Sequence, residues 1–382
     1  MDRIRPKMYE TLPPLSPSGD AMYNSSYPRM PCWNTDDQLR CLPGFFILGV
    51  FQSGCADLYA RMNLHPFLHL PEPYHMLFWA ESHPWEEYLD AFSKPGRSVL
   101  PDHPGHVIGE MSPATFEFMW AQSVGVLHPE FQDAYATCWK AIPDKTGDGS
   151  RPVEEREACF HEARASEAAF LEAHDIPPGP EDTLTAFTTP FHLRSVLGGT
   201  EKAKLIVLLR DPVDRLVAAY NTYGQYEAEY GGDKGGFDTY IEVQLGLLEE
   251  CIASYSRLKC ALEFESLEYR FEQLFYHADQ ITKSMYDAYL PQWKAAFPDP
   301  SSILLLRYEE YVADPKPVLQ RVFDFLELPP ESLSDSDWTE ILDAPIKRLS
   351  QAGSDPDPPI SDAARSRLQA FYAPEYALLN TL

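Results

Sequence analysis

Residues 44 to 63 are the first candidate for chemistry on a phosphate-like group. The apolar run from Phe45 to Val50 predicts a buried strand, and residues 57 to 62 have the character of a helix start. Gly49 and Gly54 mark a tight loop between the two elements. A strand, a glycine loop and a helix N-terminus direct backbone N–H groups and a positive dipole end to one point, which predicts an anion site.

The spacing Gly49-x-x-x-x-Gly54 is that of a P-loop, the phosphate-binding loop of many nucleotide-using enzymes. Those enzymes need a lysine and a serine or threonine directly after the second glycine. Cys55 and Ala56 stand there, so the loop offers no cation for the terminal phosphates and no hydroxyl for magnesium. A P-loop kinase is therefore a disfavoured interpretation.

A second candidate anion site lies much further along the chain. The apolar residues Leu205 to Leu209 predict a buried parallel strand that ends at Arg210, and Pro212 starts a helix that contains Arg215. A guanidinium group is a planar fork that suits phosphate oxygens. At the carboxyl end of its strand, Arg210 is placed to hold a nucleotide's 3′-phosphate.

Together these stretches resemble the sulfotransferases that use 3′-phosphoadenosine 5′-phosphosulfate (PAPS), especially the Golgi carbohydrate branch that acts on chondroitin-type glycans (GalNAc 4-sulfate 6-O-sulfotransferase-like). In that family a Pro-Lys-x-Gly-Thr-Thr loop wraps the 5′-phosphosulfate. The corresponding residues here are Phe51, Gln52, Ser53, Gly54, Cys55 and Ala56, of which only the glycine matches. The stretch Arg210-Asp-Pro-Val-Asp-Arg215 closely matches the family's 3′-phosphate motif, although Ala218 replaces a serine.

Four further stretches carry the resemblance. Glu72-Pro73 with His75 is similar to the family's Glu-Pro-His element, which implies Glu72 as the base and His75 as the second candidate. Ser112-Pro113 is similar to a turn beside the acceptor. Residues 307 to 309 (Arg-Tyr-Glu) and 371 to 374 (Phe-Tyr-Ala-Pro) also have counterparts in the family.

The resemblance implies sulfuryl transfer from PAPS to a hydroxyl of a carbohydrate or related acceptor, with no metal. Gln52 joins Glu72 and His75 in the implied catalytic set, because it stands where the family has its lysine. We expect the donor to be held by Gln52, Ser53, Gly54, Cys55, Ala56, Arg210, Lys347 and Arg348.

Glutamine keeps an N–H donor at position 52 but loses the charge, and losing such a donor costs about 10²- to 10³-fold in rate. Either another cation substitutes, with Arg61, Lys202 and Lys347 as candidates, or catalysis is slow, or the fold has been kept for binding. The alternative function is therefore a catalytically inactive sulfotransferase-like protein that binds nucleotide or glycan, or acts as an assembly partner.

The chain is strongly acidic, with 31 Lys and Arg against 58 Asp and Glu and a net charge of -27. This argues against non-specific binding of nucleic acid or of an anionic membrane surface. It also favours an acceptor that is less charged than a sulfated glycosaminoglycan. Basic residues available to line an acceptor cleft are Lys202, Lys204, Arg210, Arg215, Lys347 and Arg348.

The seven cysteines fall into three neighbouring pairs and one leftover, Cys55. The pairs Cys32/Cys41, Cys138/Cys159 and Cys251/Cys260 are either disulfides of an oxidising compartment or buried reduced thiols. Cys55 is either a reactive thiol with a lowered pKa at a helix N-terminus or a small buried apolar residue.

Location has two interpretations. The resemblance and the cysteine pairs favour the Golgi lumen or secretory pathway, where relatives are anchored by an N-terminal helix. The sequence has no run of membrane-span length, and its first residues lack the apolar core of a signal peptide. If this N-terminus is native, we expect a soluble intracellular protein.

Apolar strands that alternate with helical segments predict an α/β fold, with a P-loop-like parallel sheet flanked by helices on both faces. We predict an N-terminal extension over 1–43 and a sulfotransferase-like domain over 44–382, with an insertion at about 141–182. Ligands of such sheets bind beyond the carboxyl ends of the strands. We expect Gln52, Glu72, Ser112 and Arg210 to converge there.

Overall fold

A computed structural model gives the architecture of the chain. It describes the following residues: 23, 26–35, 38–71, 78–79, 84–117, 134, 137–138, 140–143, 155, 158–159, 161–163, 165–166, 169, 173, 189–198, 202–222, 226, 230–231, 234–254, 256–258, 260–261, 280–329, 332–344 and 360–382.

Seven strands form two sheets in this part of the chain. They are β1 (Cys32–Asn34), β2 (Leu39–Cys41), β3 (Phe45–Gly49), β4 (Leu68–His69), β5 (Val107–Met111), β6 (Leu205–Leu209) and β7 (Ile303–Arg307). Strands β1 and β2 pair antiparallel as a small sheet. The main sheet has the order β4-β5-β3-β6-β7, and its pairings are parallel.

Helices make up most of the remaining described structure. They are α1 (Cys55–Met62), α2 (Trp85–Val99), α3 (Thr189–Val196), α4 (Pro212–Thr222), α5 (Lys234–Tyr240), α6 (Gly246–Ser254), α7 (Tyr286–Ala296), α8 (Tyr308–Ala313), α9 (Pro315–Phe325), α10 (Asp335–Asp343), α11 (Asp362–Phe371) and α12 (Ala373–Leu379). A π-helical segment, Ile241–Leu245, joins α5 to α6.

Strands β3, β5 and β6 are buried along their whole length, as expected of parallel strands covered by helices. The chain adds β4 and β5 on one side of β3, and later β6 and β7 on the other side. The strand order therefore reverses around β3. Such a switch point opens a crevice beyond the carboxyl ends of the strands, and the loop after β3 lies there.

The structure confirms the predicted α/β class and the positions of the main strands. Helix α2 begins at Trp85 and continues to Val99. The helically spaced Ile281, Met285, Tyr289 and Trp293 are fully buried, so this stripe belongs to the core. Most of the proposed insertion at 141–182 lies outside the described residues, and the domain bounds remain a prediction.

Two of the three expected disulfides are present. Cys32–Cys41 joins β1 to β2, and Cys138–Cys159 closes the second pair. Cys260 is also disulfide-bonded, but the side chain of Cys251 lies outside the described residues. Among the helices that the structure describes, none combines the length and the apolar character needed to cross a bilayer.

Candidate active site

The loop between β3 and α1 has the backbone geometry of an anion site. Gln52 and Gly54 both have left-handed backbone conformations, with φ of 65° and 82°. Gly54 precedes the first residue of α1 and provides no side-chain cap. Within the described structure, the amides of Gly54, Cys55 and Ala56 have no hydrogen-bond acceptor. Three unpaired N–H groups at the positive end of a helix suit phosphate oxygens.

Tyr308 closes one side of this loop. A Cβ atom built on Gly54 would lie 3.0 Å from Cε2 of Tyr308, so the phenol ring lies directly against the glycine. Tyr308 is the first residue of α8, directly after β7. Glycine is needed at position 54 both for its positive φ and for this close approach.

Arg210 lies beside the loop, as the sequence predicts. Its Nη1 donates to the backbone carbonyl of Gln52 at 2.9 Å, although 158 residues separate the two in the chain. Its guanidinium group also lies 4.6 Å from the centroid of the Tyr308 ring. The backbone carbonyl of Arg210 accepts a hydrogen bond from the Tyr286 hydroxyl at 2.9 Å. The loop, the arginine and the Arg-Tyr-Glu stretch therefore meet at one edge of the sheet.

The rest of the Arg210–Arg215 motif holds this edge in place. Asp211 Oδ1 accepts from the amides of Val213 and Asp214 at 2.9 and 3.0 Å, which caps the start of α4. The amide of Asp211 donates to Glu309 Oε1 at 2.8 Å, which ties β6 to the start of α8. Arg215 is fully buried and donates to Ser284 Oγ and to the carbonyl of Gln280. Arg215 is therefore a structural residue and does not line an acceptor cleft.

Sequence reasoning missed two residues beside the loop. Glu117 Oε1 accepts from the amide of Phe51 at 3.1 Å, and burial raises the pKa of Glu117 to about 7, against the opposing charge of Lys283. The Nζ of Lys283 lies 5.9 Å from the centroid of the Phe51 ring. No local pattern marks either residue, because each reaches the loop from a distant segment.

Ser112 lies at the same edge, just after β5, and is buried. Its hydroxyl donates to Glu110 Oε1 at 2.8 Å, and the Tyr88 hydroxyl donates to Oε2 of the same carboxylate. Burial raises the pKa of Glu110 to about 7. The predicted acceptor-side serine is thus one end of a buried hydrogen-bond network.

The structure argues against two of the three proposed replacement cations. Arg61 is buried and pairs with Asp57 at 2.9 Å, and it also donates to three backbone carbonyls of residues 341, 342 and 344. The ammonium group of Lys202 lies 5.6 Å from the ring centroid of Tyr23, a residue of the N-terminal segment. The third, Lys347, lies outside the described residues.

Cys55 is 3% exposed, and burial raises the pKa of its thiol above the ordinary value. The side chain is therefore a buried apolar residue, and the alternative of a reactive thiol with a lowered pKa is wrong. Its sulfur lies 3.5 Å from the carbonyl oxygen of Val50, which lines the inside of the loop.

Several predicted site residues cannot be located. Glu72, His75, Lys347 and Arg348 lie outside the described residues. The chain is described up to Pro71, whose carbonyl accepts from the Tyr59 hydroxyl of α1 at 3.0 Å. The roles of Glu72 and His75 therefore remain predictions.

Comparison with known proteins supports the resemblance. The sulfotransferase domain family matches residues 179–352, which contain Arg210 and Tyr308. Human carbohydrate sulfotransferase 15 is 26% identical over 373 residues, covering 90% of this chain and 53% of the human protein. The mouse protein of the same name is 25% identical over 365 residues, covering 88% and 52%. A crystal structure of a sulfotransferase from Alicyclobacillus acidocaldarius aligns with a TM-score of 0.44 and 16% identity, over 89% of this chain and 95% of that one.

Residues 179–352 therefore match the sulfotransferase domain family, and most of the chain is similar to carbohydrate sulfotransferases, as its motifs predict. Its similarity to carbohydrate sulfotransferase 15 supports the carbohydrate branch. The chain spans about half the length of these relatives, 53% of the human protein. The glycine loop lies outside residues 179–352, the stretch that matches the domain family. Most of the chain's departures from the family pattern occur in this loop.

Proposed function

We propose that this protein transfers a sulfuryl group from PAPS to a hydroxyl group of a carbohydrate. The contact between Arg210 Nη1 and the Gln52 carbonyl, at 2.9 Å, is the observation that carries the proposal. It joins two anion-binding elements that lie on neighbouring strands, β3 and β6. The unpaired amides of the loop suit the 5′-phosphosulfate of the donor, and the guanidinium group of Arg210 suits its 3′-phosphate.

The reaction needs an in-line arrangement of acceptor oxygen, sulfur and leaving phosphate oxygen. A new bond forms from the acceptor oxygen to sulfur while the bond from sulfur to the phosphate oxygen breaks. The acceptor proton passes to a base, which we propose to be Glu72, with His75 as the second candidate. Negative charge develops on the leaving phosphate, so catalysis depends on positioning and on positive charge at that oxygen.

Three observations bear on the acceptor and the compartment. The chain's relatives are named carbohydrate sulfotransferases, which supports a carbohydrate acceptor. The disulfides Cys32–Cys41 and Cys138–Cys159 support an oxidising compartment, such as the Golgi lumen. The net charge of -27 favours an acceptor with few sulfate groups.

The proposal is tested by incubating the pure protein with labelled PAPS and a panel of glycans, and by calorimetric titration with 3′-phosphoadenosine 5′-phosphate (PAP). We expect label transfer, and we expect Arg210→Ala to abolish it and to weaken PAP binding by roughly 10- to 100-fold, the value of a charge-assisted contact. Arg321→Ala is the matched control, because Arg321 is exposed and pairs only with surface groups among the described residues. The proposal is overturned if the wild-type protein transfers no label to any acceptor and also fails to bind PAP.

The alternative is a catalytically inactive sulfotransferase-like protein that binds nucleotide or glycan, or acts as an assembly partner. The absence of the family's lysine from the loop supports this alternative. The similarity to carbohydrate sulfotransferases over 90% of the chain does not favour it. Gln52→Lys separates the two: a large gain from near-zero activity indicates a catalytically inactive relative, whereas no gain or a loss indicates a working variant loop.

A further inference from the structure

We propose that Lys283 supplies the positive charge that the loop lacks at Gln52, and that its ammonium group contacts the leaving phosphate oxygen of the bound donor. The inference rests on the proposed sulfuryl transfer. It addresses the cation that sequence reasoning sought at Arg61, Lys202 or Lys347.

Lys283 is placed beside the critical position of the loop. Its Nζ lies 5.9 Å from the ring centroid of Phe51, the residue before Gln52. The residue is half-buried. A lysine side chain has four rotatable bonds, and a shift of a few ångströms brings Nζ from the Phe51 ring to an anion bound on the loop.

The backbone around Lys283 is anchored to the edge of the sheet that holds Arg210. The hydroxyl of Ser284 donates to the carbonyl of Pro212 at 3.1 Å. The hydroxyl of Tyr286 donates to the carbonyl of Arg210 at 2.9 Å. The amide of Met285 closes the turn by donating to the carbonyl of Thr282 at 2.8 Å. The Cα of Lys283 is therefore fixed beside the loop, while its side chain can move.

Glu117 links this lysine to the loop. Its Oε1 accepts from the amide of Phe51 at 3.1 Å, and the charge of Lys283 acts on the same carboxyl group. Its Oε2 is buried without a hydrogen-bond partner in the described structure. A carboxyl group at this position attracts the ammonium group toward the loop before the donor arrives. An anionic donor on the loop then competes for the same charge.

Among the described residues, three other cations near the loop hold groups of the protein. Arg210 holds the Gln52 carbonyl, and Arg215 is buried against Ser284 and Gln280. Arg61 holds Asp57 and the end of α10. Lys283 stays protonated throughout the reaction in this role. Its ammonium group donates a hydrogen bond to the leaving oxygen as negative charge develops there.

The test removes the positive charge at position 283 and then adds a positive charge at position 52. Lys283→Met should lower kcat by about 10²- to 10³-fold, the cost of removing one donor to a developing anion. Adding Gln52→Lys to that variant should restore at least tenfold of the loss, because the charge returns to the family's usual position. Lys283→Arg keeps the charge and should retain most of the activity.

Lys294→Met is the matched control, because Lys294 is an exposed lysine of the neighbouring helix α7 and should leave kcat unchanged. Thermal melting of each variant separates loss of activity from loss of folding. If the wild type transfers sulfuryl groups and folded Lys283→Met stays within about threefold of it, or Gln52→Lys fails to restore the loss, the role of Lys283 is overturned while the proposed function stands. A wild type that neither transfers nor binds PAP would overturn both.

Discussion

Arg61 allows the sharpest test of how the anion loop is supported. It lies on α1, the helix that starts at the loop, and is 5% exposed. Its Nε pairs with Asp57 at 2.9 Å, and its Nη atoms donate to the carbonyls of Ile341 and Leu342 at 2.6 and 2.8 Å and of Ala344 at 3.1 Å. The guanidinium group therefore satisfies the carbonyl end of α10 and joins it to α1.

Replacing Arg61 by methionine keeps most of the side chain's volume and removes the charge. The carboxylate of Asp57 then stays buried without its ion-pair partner, although the Tyr311 hydroxyl still donates to it at 2.7 Å. Removing one member of a buried ion pair costs about 3 to 5 kcal/mol, because the other charge is left uncompensated. We expect a loss of this size in the free energy of unfolding.

Urea unfolding followed by fluorescence measures the effect. With an m-value of about 3 kcal/mol/M for a chain of this size, the midpoint should fall by roughly 1 to 1.7 M at constant m. Arg367→Met is the control, because its pair with Glu249 has side chains that are 37% and 42% exposed. Such a surface pair contributes less than about 1 kcal/mol.

The double variant Asp57→Asn/Arg61→Met shows whether the loss of stability in Arg61→Met arises from the uncompensated charge of Asp57. If the cost arises from an uncompensated charge, neutralising Asp57 should recover about half of the loss in the Arg61 variant. A loss below about 1 kcal/mol for Arg61→Met, or no recovery in the double variant, would refute the assignment of Arg61 as the support of this helix pair. Arg61 would then again be a candidate for the missing loop cation.

Three further predictions concern stability. The Cys32–Cys41 disulfide closes a loop of sequence separation 9, so Cys32→Ser/Cys41→Ser should cost about 2.5 kcal/mol by chain entropy, measured by urea unfolding without reductant. Burial raises the pKa of Glu110 from 4.5 to about 7, so its contribution to stability is lost as pH rises from about 4.5 through about 7; Glu110→Gln should flatten that part of a melting-temperature profile. Burial lowers the pKa of His65 from 6.5 to about 4, and its Nδ1 accepts from the amide of Phe67 at 3.1 Å. Stability should therefore fall as pH drops from about 6.5 to about 4, and His65→Asn should reduce this slope.

The sheet and its loop could be predicted because their signals are local. Strands β3 and β6 are continuous apolar runs, since both of their faces are covered. The rule that parallel strands gather ligands beyond their carboxyl ends then brings Gln52 and Arg210 together without any knowledge of the chain between them.

The partners of the loop could not be predicted, because they depend on tertiary packing. Tyr308 follows β7 in a stretch with a family counterpart, yet its contact with Gly54 requires the register of β6 against β7. Lys283 lies in a turn between Ile281 and Met285, two residues of an apolar stripe whose spacing indicates only a buried helix face. Nothing in the residues around it shows where its ammonium group points.

An acidic protein can hold a multiply charged anion only if negative charge is kept away from the site. Of the carboxyl groups at this edge of the sheet, Glu110 and Glu117 are buried, and burial raises the pKa of both to about 7, so near neutrality they carry only part of their charge. Positive charge reaches the same edge from segments far apart in the sequence, through Arg210 after β6 and Lys283 before α7. Because charges interact more strongly in a partly dry crevice than across solvent, we expect these two cations to act on a bound anion more strongly than distant charges of the chain do. An anionic donor should then further favour the protonated forms of the two carboxyl groups, so donor binding and proton uptake are coupled at this edge of the sheet.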